Sequence, residues 1–204
     1  MTRFVPSLLA VTLALSTSAP AQTPVPARDT ARDYTPADMA FMSGMIYHHA
    51  QALLMAGWAR SHGASADVQT LCERIVRGQQ DEIVIMARWL AERHEPVPQP
   101  EPQHMMHGMS EHMMPGMLTA EQLAQLDRAR GQAFDEQFLR FMIQHHEGAI
   151  TMVNELFARG AGEENPVYKI ASDVFADQTT EIERMQRMLV VKMFGPASTI
   201  TNPK

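Results

Sequence analysis

Residues 38–55 read DMAFMSGMIYHHAQALLM, and residues 135–152 read DEQFLRFMIQHHEGAITM. Aligned without gaps, Asp, Phe, Met, Ile, two His, Ala and Met recur at identical spacings, 97 residues apart. Repetition over this length marks a duplicated structural unit. The partners repeat as well: Gln79, Glu82, Ile83 and Met86 match Gln178, Glu181, Ile182 and Met185. Each half therefore reads as a helical hairpin, and two hairpins give an all-α, ferritin-like four-helix bundle. No strand-like alternation competes with this reading.

Punctuation along the chain sets the expected boundaries. Residues 1–21 have the form of a secretory leader: Arg3, an apolar run from Phe4 to Leu15, and small residues at Ala19 and Ala21 before the cut. A periplasmic or secreted protein beginning near Gln22 is expected, with no membrane anchor in the mature form. Residues 22–33, rich in Pro and Ala, read as a disordered lead-in, and the bundle domain as 34–194. Within it, hairpin one covers 36–94. Its first helix opens on the capping sequence Thr35-Pro36-Ala37-Asp38 and should run to about His62, stopping at Gly63. Asp38 and Asp135 are expected to support the helix starts. A long connection, 95–118, follows, then a short helix over 120–130 behind a second capping box at Thr119–Gln122. Hairpin two covers 132–194, and 195–204 form a polar tail.

The composition narrows the function. A net charge of −6 and a pI near 5.8 argue against nucleic acid, which would call for a basic face. The 17 Met and 9 His are many, and the one cysteine, Cys72, reads as a small buried hydrophobe. With Met45 as origin on an ideal helix, His49 lies about 40° to one side and His48 about 60° to the other. Both flank the buried seam, as do His145 and His146 beside Met142. Folding hairpin one about residue 64 brings Gln79 level with His49 and Glu82 near Met45. A single pair of this kind would be read as hydrogen-bonded core histidines with packing methionines. Two matched pairs would bury many polar groups at one level, which a metal ion can satisfy. Glu82 and Glu181 fit either that centre or a salt bridge between helices.

Imidazole with carboxylate suits iron, zinc or Cu(II), whereas thioether selects Cu(I) or Ag(I). The connection favours the soft ions. His104, Met105, Met106, His107, Met109, His112, Met113, Met114 and Met117 fall within fourteen residues. A plain linker needs no Met, and exposed Met is open to oxidation. Other chemistries lack their motifs. HHEGAI is not HExxH, and neither the Glu-x-x-His pairs of di-iron bundles nor a phosphate loop, nucleophile elbow or CxxCH occurs.

The pattern Phe-x3-Met-Ile-x-His-His-x2-Ala-x2-Met, present at 41–55 and 138–152, together with MPGMLTAEQL, resembles the family called domain of unknown function 305. The resemblance spans about Tyr34 to Met193. It implies a ferritin-like four-helix bundle, and kinship with exported bacterial proteins that bind copper and contribute to copper resistance. It assigns His48, His49, His145, His146, Met45 and Met142 to metal binding, and the doubled pattern closes on Met55 and Met152. The first copy has Ala50 where the second has Glu147, so any role of that carboxylate is asymmetric.

The expected function is thus copper binding, chiefly Cu(I), with Cu(II) and Ag(I) as further cargo, in a buffer or carrier rather than an enzyme. Another copper-handling protein is the expected macromolecular partner. Two alternatives stay open: a ferritin-like iron store or oxidase using the His and Glu layer, and a metal-free bundle that binds a protein.

Overall fold

The computed structural model describes residues 33–101 and 114–195. Five helices form among them: α1 (Pro36–Gly57), α2 (Ala66–Glu92), α3 (Ala120–Arg128), α4 (Gly131–Ala158) and α5 (Asn165–Phe194). No strand occurs among the described residues, and no helix is long and apolar enough to cross a membrane. Both expected capping boxes form. Thr35 caps α1 with Asp38 reaching back, and Thr119 caps α3 with Gln122 reaching back. Each satisfies two amides that a helix start otherwise leaves open.

The first helix is shorter than expected. It ends at Gly57, and residues 58–63 continue as turns rather than α-helix. The His62 ring lies on Trp58, and its Nε2 meets the Asp127 carbonyl at 2.9 Å, so this corner is shaped by the docking of α3. Gly63, at φ +69°, then reverses the chain where expected.

Packing is α1 on α2, α4 on α5, and α1 on α4, with α2 and α5 approaching each other over less of their length. Asp38, at the start of α1, accepts from the Gly162 amide beyond the end of α4 at 2.6 Å. Asp135, near the start of α4, accepts from the Ser65 amide beyond the end of α1 at 3.1 Å, and from the Ser65 hydroxyl. So α1 and α4 run antiparallel, and each repeat's aspartate ties down the other hairpin's loop. For Asp135 this corrects the expectation of support for its own helix start: α4 has Arg130 as N-cap and no side-chain cap bond.

The core divides in two. One apolar cluster holds Met55, Leu71, Ile75, Leu118, Leu123, Phe134, Phe138, Met142 and Met185. The other holds Phe41, Met42, Met45, Met86, Leu90, Val153, Val167 and Val174. On every long helix the residues between the clusters are polar: His48 and His49, Gln79 and Glu82, His145 and His146, Gln178 and Glu181. A polar belt thus crosses the waist of an apolar bundle.

Candidate metal centre

Adjacent residues on a helix stand about 100° apart, so a pair can be buried only where the helix is covered on two sides. Both α1 and α4 meet that condition, and all four histidines of the belt are fully buried. His49 turns toward α2, where its Nε2 lies 2.7 Å from Glu82 Oε2. His146 turns toward α5, with Nε2 2.8 Å from Glu181 Oε2. His48 and His145 turn toward each other across the α1–α4 contact, their ring centroids 3.8 Å apart. Glu82 therefore faces His49 rather than Met45. Residues 58–65 take up more chain than a tight turn, which shifts the register of α2 by about one helical turn.

His48 Nε2 also has a partner, the Pro115 carbonyl at 3.0 Å. Carbonyls and carboxylates accept, so in the neutral rings of His48, His49 and His146 the proton sits on Nε2 and donates. Nδ1 is then left as a bare lone pair. The Nδ1 atoms of all three are buried and meet no hydrogen-bond partner within the protein, nor does either ring nitrogen of His145. Gln79 is unpartnered at both amide atoms and Gln178 at its oxygen. Buried polar groups are nearly always paired, and each exception costs about 1–3 kcal/mol. Here the exceptions concentrate at one level of the bundle. A histidine whose second nitrogen donates to a carboxylate or carbonyl is the usual form of a metal-ligating imidazole.

Burial keeps two of these imidazoles, His48 and His145, uncharged. Burial holds His48 down to about 3, with His49 and His146 adding to the effect and the Pro115 carbonyl opposing it. Burial also holds His145 well below its ordinary value, helped by His48, His146 and His49 and opposed by the His48 backbone carbonyl. Neutral imidazole is the ligating form, and at His48 and His145 it persists in mild acid.

Among the described residues, no three or more His, Cys, Asp or Glu side chains already stand as a metal-holding group. The His48 and His145 rings, the nearest pair of the belt, lie with their planes tilted by 39°.

The thioethers border the belt. Met45 and Met142, one turn before His49 and His146, are fully buried and lie in opposite halves of the core. Met55 is fully buried, deeper in the first half. Met152 is half-buried and borders a cleft between α1 and α4 that Met114 also lines, and both approach Gly44. Met117 is buried. His104, Met105, Met106, His107, Met109, His112 and Met113 lie outside the described residues, as do the leader, most of the lead-in and most of the tail. Glu147 points to solvent, away from the belt. Cys72 is buried and its thiol is pushed up to about 12 by burial and the Asp135 charge, so it behaves as a hydrophobe.

Sequence reasoning missed the strap formed by residues 114–118. It crosses α4 at Gly148, where a Cβ would stand 2.0 Å from the Pro115 oxygen. Gln51 clamps it through both backbone atoms of Leu118, accepting from the amide at 2.7 Å and donating to the carbonyl at 3.1 Å. Position 51 is the repeat equivalent of 148, so one copy grips the strap and the other lets it pass. The glycines at 116 and 148 were the available signal. Asp177 was also missed. It stands beside Glu82 and Glu181, and its carboxyl is raised by burial and by the charges of Glu82, Glu181 and Asp173, with Arg74 opposing.

No curated protein matches the chain. Solved structures do. The chain is similar to a DUF305 fragment from Deinococcus radiodurans, at 29% identity and TM-score 0.64 over 76% of this chain and 97% of that one. A DUF305 protein from Streptomyces coelicolor, named as a secreted-protein candidate, gives 25% and 0.66 over 77% and 94%. CopM in its Cu(I)-bound form gives 27% and 0.60 over 78% and 98%. The model of the domain of unknown function DUF305 matches residues 38–189, and the chain belongs to that family.

Proposed function

We propose that this protein is an exported copper-binding protein that buffers or carries the ion, with the polar belt as its tight site. The observation that carries the reading is the set of bare Nδ1 atoms on His48, His49 and His146, each in a ring whose Nε2 is already spent. With His145 they form a cluster of four fully buried imidazoles, of which burial holds His48 and His145 neutral. Met45 and Met142 border that cluster with thioether sulfur, which favours Cu(I) and Ag(I) over harder ions. CopM, to which the chain is similar, is known in Cu(I)-, Cu(II)- and Ag-bound forms. The Met- and His-rich connection offers further thioether and imidazole ligands suited to Cu(I). Against an iron store or oxidase, the paired Glu-x-x-His motif of di-iron bundles is missing, and Glu82 and Glu181 each already give Oε2 to an imidazole. Export rests on the leader at 1–21, and a second copper-handling protein is the natural giver or receiver of the ion.

The test is anaerobic Cu(I) titration against a competing chelator, with thermal melts alongside. Copper should raise the melting temperature of the native protein, by about 4 kcal/mol of stabilisation when free ion is a thousandfold above Kd. Replacing His48, His49, His145 and His146 together with Ala should remove that increase and weaken binding by more than about 100-fold. Replacing the methionines of the connection with Leu should lower capacity but keep the increase. A quadruple variant that binds as tightly as the native protein would leave the histidines as core residues only.

A further inference from the structure

Between α2 and α5 lies a cleft of about 180 Å³ lined by Arg74, Ile75, Gly78, Gln79, Glu82, Asp177, Gln178, Thr180 and Glu181. Its donors are oxygen: three carboxylates, two amides and a hydroxyl, with Arg74 the one cation among the lining residues. The volume suits several water molecules, each taking about 30 Å³. Gln79 and Gln178, 3% and 2% exposed, line it with amide atoms that meet no partner in the protein. Glu82 and Glu181 line it too, and the same carboxylates hold His49 and His146. The cleft therefore ends one side chain from the imidazoles. On the opposite side of the bundle, the α1–α4 cleft offers the sulfur of Met114 and Met152 instead. The belt has a hard flank and a soft flank.

We infer that the α2–α5 cleft is the inlet for hydrated divalent copper, with Asp177 drawing the cation to its rim and Gln79 and Gln178 replacing its water on the way to the histidine layer. The inference rests on the copper reading above and adds a route and an oxidation state to it. Aquo Cu(II) is a harder ion than Cu(I), and carboxylate and amide oxygens suit it while it keeps part of its hydration shell. Three carboxylates against the single guanidinium of Arg74 leave the lining net negative, and a negative cleft concentrates cations and raises association rates. The repeat explains why one acid does this work: Asp177 corresponds to Gly78 in the other half, where a Cβ would meet nothing within 4 Å. That glycine keeps the cleft wide.

Two variants test the inlet while leaving every belt residue in place. Gly78→Leu fills the cleft from the interior of α2, where Leu is the better helix former, so the protein stays folded. Asp177→Asn removes the rim charge, and Glu183→Gln makes the same change of charge on α5 away from the cleft. The measurement is stopped-flow mixing of the protein with Cu²⁺ alone, followed by copper absorption over a range of salt. Gly78→Leu should slow association and dissociation together, by about tenfold or more, leaving Kd within about twofold. Asp177→Asn should slow association by about threefold or more at low salt and flatten its salt dependence. Glu183→Gln should behave as native. Native rates in both cleft variants would overturn the inlet and leave the copper reading standing. A native protein that gives no Cu(II) absorption at any concentration would also overturn the inlet, and the anaerobic Cu(I) titration then decides the copper reading separately.

Discussion

His48 shows how one residue can be costly for the fold and useful for the site. Its Nε2 donates to Pro115, its Nδ1 meets nothing in the protein, and its ring lies against His145. Above about pH 6.5 the ring is neutral in both the folded and unfolded chain. As pH falls, the unfolded chain takes up a proton near pH 6.5 that the folded ring refuses until about pH 3. Stability of the metal-free protein should therefore decline across that window, by up to about 5 kcal/mol from His48 alone, with His145 acting in the same direction. Urea unfolding at pH 7.5 and at pH 5 checks this, with about 2 kcal/mol expected between them from His48. A flat profile would mean that the ring is solvated or protonated in the folded state. The pairing of histidines was legible in the sequence, because duplication exposed it. The bare Nδ1 atoms were not, because they depend on a carbonyl 67 residues away for His48 and on carboxylates 33 and 35 residues away for His49 and His146.

Among the elements, the strap at 114–118 departs furthest from what the sequence suggests. A segment rich in Met, Pro and Gly reads as linker, yet Met117 and Leu118 are buried and Gln51 holds Leu118 by two hydrogen bonds. Backbone-to-backbone contact at Gly148 makes this possible, and hydrophobic periodicity does not register contacts of that kind. Gly148→Ala should therefore destabilise the protein by about 1–3 kcal/mol despite the better helix former, and open the strap to proteolysis. Gly78→Ala, also in a helix interior but with nothing near its Cβ, should stabilise by up to about 1 kcal/mol. Paired melts of the two variants decide whether the strap is packed structure. The position of Glu82 was misread by about one turn for a related reason. Register depends on how much chain the 58–65 corner consumes, and that corner is set by His62, Trp58 and α3 rather than by local propensity.

At the scale of the molecule, the repeat made the architecture readable: two hairpins, four long helices and a polar level at the same height in each. What joins the halves was not readable, because the joining residues look like ordinary helix-start acids. Asp38 serves its own cap and the Gly162 amide, while Asp135 is buried beneath Ser65 and 2.9 Å from Lys192. Asp135→Ala should cost about 1–3 kcal/mol by removing the acceptor of the Ser65 amide and hydroxyl and leaving Lys192 with Asp67 as its one carboxylate, and should lower the melting temperature without changing copper affinity. A variant that melts like the native protein would show that the hairpins do not rely on this tie. The central claim is that this waist of imidazoles, and not the methionine-rich connection alone, holds the ion. Its most direct test is long-range ¹H–¹⁵N correlation NMR of the histidine rings, first metal-free and then with one equivalent of Ag(I) as a diamagnetic stand-in for Cu(I). The metal-free spectrum should show His48 as a neutral ring protonated at Nε2, and Ag(I) should shift the Nδ1 resonances of His48, His49 and His146. Nδ1 signals that stay in place while only methionine methyl groups respond would contradict the account.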